Sequence, residues 1–142
     1  MADFNPNRVL HSNQGNMWFN GKRLSTLQSV EAKVTGDFEE VNNCGDPATY
    51  RIYNGYSGEG TFTMLKIDSE VLKLMADAYQ FGEMPTVTII TALEQKGTNK
   101  VERIAYRDVT IDEIYLAKFE KKSKIEEPVP FKFAHFEVLE TI

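Results

Sequence analysis

One segment sets the terms for the rest of this chain. Between Gly60 and Glu94 the hydrophobic period changes twice. GTFTMLKID alternates like a strand, SEVLKLMADAYQFG follows a helical repeat, and TVTIITALE after Pro85 alternates again. Val71, Leu72, Leu74, Met75 and Ala78 make the i, i+3, i+4, i+7 stripe, with Tyr79 beside it. Asp68 or Ser69 can cap the start, and Glu70 stands in the first turn, where the helix dipole favours an acid. Gly82 stands where a left-handed residue ends a helix, and Pro85 forbids continuation. The spacing therefore predicts a helix over residues 69–81. Every other periodic stretch is strand-like, so the helix has only a sheet to lie on. The expected fold is mainly β with one α-helix: an antiparallel β-sandwich or barrel-like sheet flanked by the helix.

The strands follow from the same reading. NMWF-NG-KRLSTL carries Asn20-Gly21 between two apolar-containing runs, the pattern of a tight hairpin. QSVEAKVTG alternates, with Val30, Ala32 and Val34 on a core side and Ser29, Glu31, Lys33 and Thr35 on a wet side. Residues 36–60 form an excursion that turns near Cys44–Pro47 and returns through ATYRIYNGY, with Tyr50, Ile52 and Tyr56 sharing a parity. An excursion of this length in a small domain suggests a job, and the tyrosines Tyr50, Tyr53 and Tyr56 suit contact with another molecule. QKGTN reads as a turn. VERIAYRDVTIDEIYLAKF is nearly continuous strand, with a parity change between Ile111 and Ile114 that suggests a bulge or burial on both faces. VPFKFAHFEVLE changes parity between Phe133 and Phe136, which suggests a second bulge near Ala134–His135. Residues 1–16 carry no periodic pattern and read as an arm.

Composition excludes several functions. At 142 residues the chain is one domain by default, and 42% hydrophobic content supports a core. The net charge of -5 argues against a nucleic-acid surface. The single cysteine, Cys44, closes no internal disulfide, no apolar run is long enough to span a membrane, and the polar N-terminus lacks a signal-peptide core. Neither His11 nor His135 has neighbours at zinc-ligand spacing, and no phosphate loop or nucleophile elbow occurs. GYSGEG precedes a strand and so offers no helix N-terminus to a phosphate. His135 is read as a strand residue and Cys44 as a small turn residue. No catalytic set, metal site or cofactor site is implied. The acids, including Asp37, Glu39 and Glu40, read as solvated faces or as a surface that repels polyanions.

Three stretches taken in order carry a resemblance. GEGTFTMLKIDSEVLKLMADAYQFG, PTVTIITALEQKGTNKVERIAYRDVTIDEIYLAKF and EEPVPFKFAHFEVLE closely resemble the tail tube proteins of PBSX-type defective prophages and their contractile-tail relatives, among them the inner tube proteins of diffocin-like R-type bacteriocins. WFNGKRL and VNNCGDPATYRIYNGYSGEG sit where that family has a hairpin and a long loop. The resemblance covers about residues 15 to 140 and rests on order and spacing rather than on any catalytic motif. It implies a single tail tube domain over 1–142, with 1–16 as an arm and 36–60 as an extended loop or hairpin for contact between subunits. It implies rings of six copies whose inner sheets join into one barrel, stacked into a hollow tube that sheath contraction drives through a target envelope.

The partners implied are other copies of the chain, a tail sheath protein, baseplate and tail-terminator proteins, and a tape-measure protein in the lumen, with no specific nucleic-acid recognition. Assembly in the host bacterial cytoplasm and release by lysis follow from the same resemblance. Tyr50, Ile52, Tyr53 and Tyr56 become candidate contacts between subunits, and Glu31 and Lys33 a candidate lumen or inter-subunit face, with Arg51 a possible neighbour of Lys33 on it. A secreted ring-forming tube protein and a small-ligand-binding β-barrel are the alternatives.

Overall fold

The structure, a computed structural model, describes Pro6 and residues 15–65, 69–95 and 100–142. His11, Asp68, most of the expected arm and most of the QKGTN turn lie outside the described residues. Seven strands and one helix follow in chain order: β1 (Gly15–Phe19), β2 (Lys22–Arg23), β3 (Leu27–Asn42), β4 (Thr49–Leu65), α1 (Glu70–Phe81), β5 (Val87–Glu94), β6 (Val101–Ile111) and β7 (Glu126–Glu140). They form one antiparallel sheet in the order β2-β1-β5-β6-β7-β4-β3. Gly15 and Asn16, assigned to the arm by composition, pair with Leu93 and Ala92 of β5 as part of β1.

Local chemistry sets the element ends. Asn20 and Gly21 take φ of 50° and 84°, so the β1–β2 turn has the two left-handed residues that its sequence signals. The Asn20 side chain clips that turn to β5 by accepting the Thr88 amide at 2.8 Å. Gly82 ends the helix at φ 76°, donating its amide to the Ala78 carbonyl. At the other end Ser69 precedes the helix but makes no side-chain cap hydrogen bond. Lys22 pairs with Glu70 and ties β2 to the helix start.

Alternation puts one set of side chains under the helix. Met17, Phe19, Phe62, Met64, Val87, Ile89, Tyr106, Val109, Ile111, Val129, Phe131 and Phe133 cluster with Met75 and Ala78 of α1. Phe131 lies at the centre, its ring 6.0 Å from Phe62 and 6.3 Å from both Tyr106 and Phe133. Tyr79 donates its hydroxyl to the Ile111 carbonyl and fixes α1 to the end of β6. The helix lids this apolar face, as its stripe required.

Two parity changes have different causes. Past Ile111 the chain leaves the sheet, so the change at Ile114 is a strand end rather than a bulge, and Ile114 packs against the core. Near Ala134 the ladder passes from Arg107↔His135 to Val109↔Phe133 without pairing Asp108, whose φ is 54°. The β6–β7 register is the same on both sides of this gap, whereas the β5–β6 register shifts between Val87 and Ile89. One local kink thus crosses three strands and brings Phe136 to within 6.3 Å of Phe133 on the same side.

The sheet curls without closing. β3 approaches β1, β5 and β6 across a cleft of about 410 Å³ lined by residues such as Asn16, Gln28, Val30, Ala32, Leu93 and Ile104. Among the described residues no ladder joins β3 to that side. The outer edge of β3, 16 residues long, has no strand partner among the described residues.

Candidate assembly surface

The longest ladder in the molecule joins β3 to β4, from Leu27↔Met64 to Asn42↔Thr49. β7 covers β4 only from Gly58 to Leu65. Residues 36–42 and 49–56 therefore project as a ribbon of two strands. Such a ribbon is marginal in water on its own, so its support matters. At its base Tyr56 donates its hydroxyl to the Ala134 carbonyl at 2.9 Å and sets its ring edge-on to Phe136. At its tip Asp46 accepts the Tyr50 hydroxyl at 2.6 Å and the Ala48 amide at 2.9 Å. Thr49 donates to Asn42 at 2.9 Å beside them. Cys44 is exposed on the same turn.

These bonds shift the tip's ionisation. The Tyr50 hydroxyl and then the Ala48 amide hold the Asp46 carboxyl below its ordinary value of 3.8, and the same bond raises the Tyr50 phenol. A depressed carboxylate stabilises the folded turn above its unfolded pKa, and that contribution disappears as pH falls through the lower folded value. The tip is thus expected to loosen only in acid below the usual carboxylate range. The Ala48 amide resonance, followed by NMR from pH 6 downward, checks this; Asp46→Asn should remove the acid transition, and its persistence would exclude Asp46 as the source.

A bulge decides which side chains face together. Asp37 pairs with Gly55 but Phe38 pairs with Tyr53, so Asn54 is the extra residue, next to Gly55 at φ 150°. Tyr53 and Tyr56 consequently share the core-side face with Phe38, while Tyr50 and Ile52 lie on the opposite face beside Val41 and Glu39. The shared parity of Tyr50, Ile52 and Tyr56 expected from spacing is broken at this point. The Phe38 and Tyr53 rings meet at 5.6 Å, with the Arg51 guanidinium 4.5 Å above Phe38.

Glu31 and Lys33 occupy the face away from the core, where Lys33 reaches Glu59 at 3.4 Å. Arg51 pairs with Glu40, an even position like Phe38, and so lies on the core side rather than beside Lys33. His135 is exposed, 3.6 Å from Asp108. Exposed pairs of this kind add little stability. No group of three or more metal-ligating side chains occurs among the described residues.

The core side of β3 is the feature that spacing alone misjudged. Val30, Ala32 and Val34 point toward the core as expected, yet Val30 is 37% exposed and Val34 43%. Phe38, also 43% exposed, extends the row beyond Gly36, where the alternation of QSVEAKVTG ends. Phe136 and Val138 on β7 face the same groove as Ala32 and Val34 and are equally uncovered. The signal for Phe38 was present: it keeps the even parity of Val30 and Val34 through GDFEEV. A strand with an open edge and a bare apolar side can be completed by another copy of itself.

The chain is 30% identical over 136 residues to the phage-like element PBSX protein XkdM of Bacillus subtilis (strain 168), covering 94% of this chain and 92% of that one. It is 29% identical to the uncharacterized protein YqbM of the same organism, with the same coverage. Its fold matches the tube-terminating cap of the anti-feeding prophage with a TM-score of 0.78 at 9% identity, over 99% of this chain and 95% of that chain. It matches a chain of the sheath-tube complex of an extracellular contractile injection system with a TM-score of 0.73 at 8% identity, over 92% and 93%. The model of a family described as phage tail tube protein matches residues 2–140, and the chain belongs to that family of structural tail tube proteins.

Proposed function

We propose that this chain is the inner tube subunit of a contractile tail, in which six copies close a ring and rings stack inside a sheath. The supporting observation is the open 16-residue edge of β3 with its uncovered row of Val30, Val34 and Phe38. Closing a ring of identical sheets satisfies the backbone groups of that edge and removes the edge itself. The face bearing Glu31, Lys33 and Glu59 is polar and ion-paired, as a lining that must not hold what passes along it would be. In this reading the sheath lies outside, baseplate and terminator proteins bound the two ends, and a tape-measure protein occupies the lumen. The particle is assembled in the bacterial cytoplasm and leaves by lysis. It acts by rigidity and self-association, with no chemical step.

Negative-stain imaging of the purified protein at high concentration tests the reading. Hollow rods or six-fold rings are expected. A monodisperse monomer that never polymerises, even with its baseplate present, would overturn it.

A further inference from the structure

One end of the core lacks a filler. Paired residues on neighbouring strands face the same side, so the ladders give the core-side rows of β1, β5 and β6 directly. Phe19, Ile89 and Tyr106 form one row, and all three are buried. Met17, Thr91 and Ile104 form the next, and Gly15, Leu93 and Glu102 the last. In that last row β1 contributes no side chain. The cleft of about 410 Å³ between β3 and these strands reaches this end, and Gly15, Leu93 and Glu102 all line it. Across it stands Val30, 37% exposed.

The chain enters β1 from that same end. Residues 1–14 precede Gly15, with the apolar pair Val9 and Leu10 in NPNRVLHSNQG. Ser12, Asn13 and Gly15 are turn formers, so the sequence suits a reversal between Leu10 and β1. Leu10 stands five residues before Gly15, at most about 18 Å of extended chain. β6 lies two strand spacings from β1, about 10 Å. Ile104 is therefore within reach of Leu10 in the same chain, and a tether this short outcompetes a second copy in dilute solution. Glu102 is the one charged residue among those that line the cleft, and Arg8, next to Val9, is its complement. The tail tube family match begins at residue 2, so it takes in this stretch.

We propose that residues 8–10 fold back into the cleft of their own chain, with Val9 and Leu10 against Val30, Leu93 and Ile104 and Arg8 beside Glu102. The arm then fills the row that Gly15 leaves short and braces the first half of β3 against β1, β5 and β6. It packs on the core side of β3 and not on its outer edge, so that edge and the side chains of Val34 and Phe38 stay open to a second copy. The contact is made within one chain and stands or falls independently of the tube reading.

Cysteine cross-linking in the full chain tests this. In a Cys44→Ser background, Val9→Cys or Leu10→Cys is combined with Ala32→Cys or Ile104→Cys, and dilute protein is oxidised mildly. A disulfide needs its two α-carbons within about 7 Å. At least one combination is expected to give an intrachain bond, seen as a faster-migrating monomer on a non-reducing gel. Bonds formed only between chains would make the occupant a second copy's arm, and no bond in any combination would leave the arm outside the cleft; either result overturns the proposal. Independently, Val9→Asp with Leu10→Asp is expected to lower the folding equilibrium constant of the monomer about tenfold or more. Asn5→Asp with Asn7→Asp adds the same charge beside the contact and should stay within about threefold of the unaltered protein. An unchanged constant in the first variant, or an equal loss in the second, would also overturn the docking.

Discussion

Phe131→Ala is expected to lower the unfolding free energy of the isolated chain by about 3–5 kcal/mol, the range for deleting a fully buried phenylalanine. Phe131 is 1% exposed, and its ring meets Phe62, Tyr106 and Phe133. Removing it leaves a void where β4, β6 and β7 converge under the helix, and neighbouring strands held by ladders cannot collapse to fill it. Domains of this size hold about 5–15 kcal/mol in total, so the variant sits near the edge of folding. Urea unfolding at a concentration too low for assembly measures the effect as a lower midpoint at unchanged slope. Tyr53→Ala serves as the contrast. Its side chain is 57% exposed on the ribbon, so monomer stability should move by less than about 0.5 kcal/mol. Equal losses from the two substitutions would mean that the core is not where the strands place it.

The second large effect concerns a position with no side chain. A β-carbon at Gly60 would lie 2.5 Å from the Glu31 carbonyl oxygen and 2.6 Å from the Phe131 ring. The first contact is backbone across the β3–β4 ladder, where Gly60 pairs with Ala32. The second is the centre of the core. Gly60→Val is therefore expected to cost about 1–3 kcal/mol from overpacking alone and to push β3 away from β4. Since β3 carries the open edge, assembly should fail at concentrations where the folded fraction is still high. Thermal unfolding paired with sedimentation separates the two losses. Full stability with normal rods in this variant would contradict the placement of Gly60 against Phe131.

Much of this fold was legible in the residues, and the illegible parts share a cause. The helix declared itself through Glu70, its apolar stripe, Gly82 and Pro85, all local signals. Asn20-Gly21 fixed a turn in the same way. The strands were visible as alternation, but the face each residue takes is a cumulative property. One extra residue at Asn54 moves Tyr56 to the side of Tyr53 and away from Tyr50. The kink at Asp108 does the same for Phe136.

The change near Ala134 was visible as the parity switch between Phe133 and Phe136, but the bulge at Asn54 is not determined by its own residues. YNGY fits a strand, a bulge or a turn, and the choice depends on the partner strand's length. The burial of Val30 and Val34 was misjudged for a different reason: alternation says which way a side chain points, not whose atoms will cover it. Here an apolar side that reads as core is left bare by the described residues, and that mismatch is what the proposed assembly explains.

Amide hydrogen exchange along β3, in the monomer and in the assembled protein, tests the central claim most directly. In an antiparallel edge strand alternate amides point outward, away from the neighbouring strand. The account predicts that, between Gln28 and Asn42, amides bonded to β4 are protected in the monomer while the alternate ones exchange freely. On assembly the outward set should become protected as well. Uniform protection of β3 in the monomer, or no added protection on assembly, would contradict an edge that only a second copy completes.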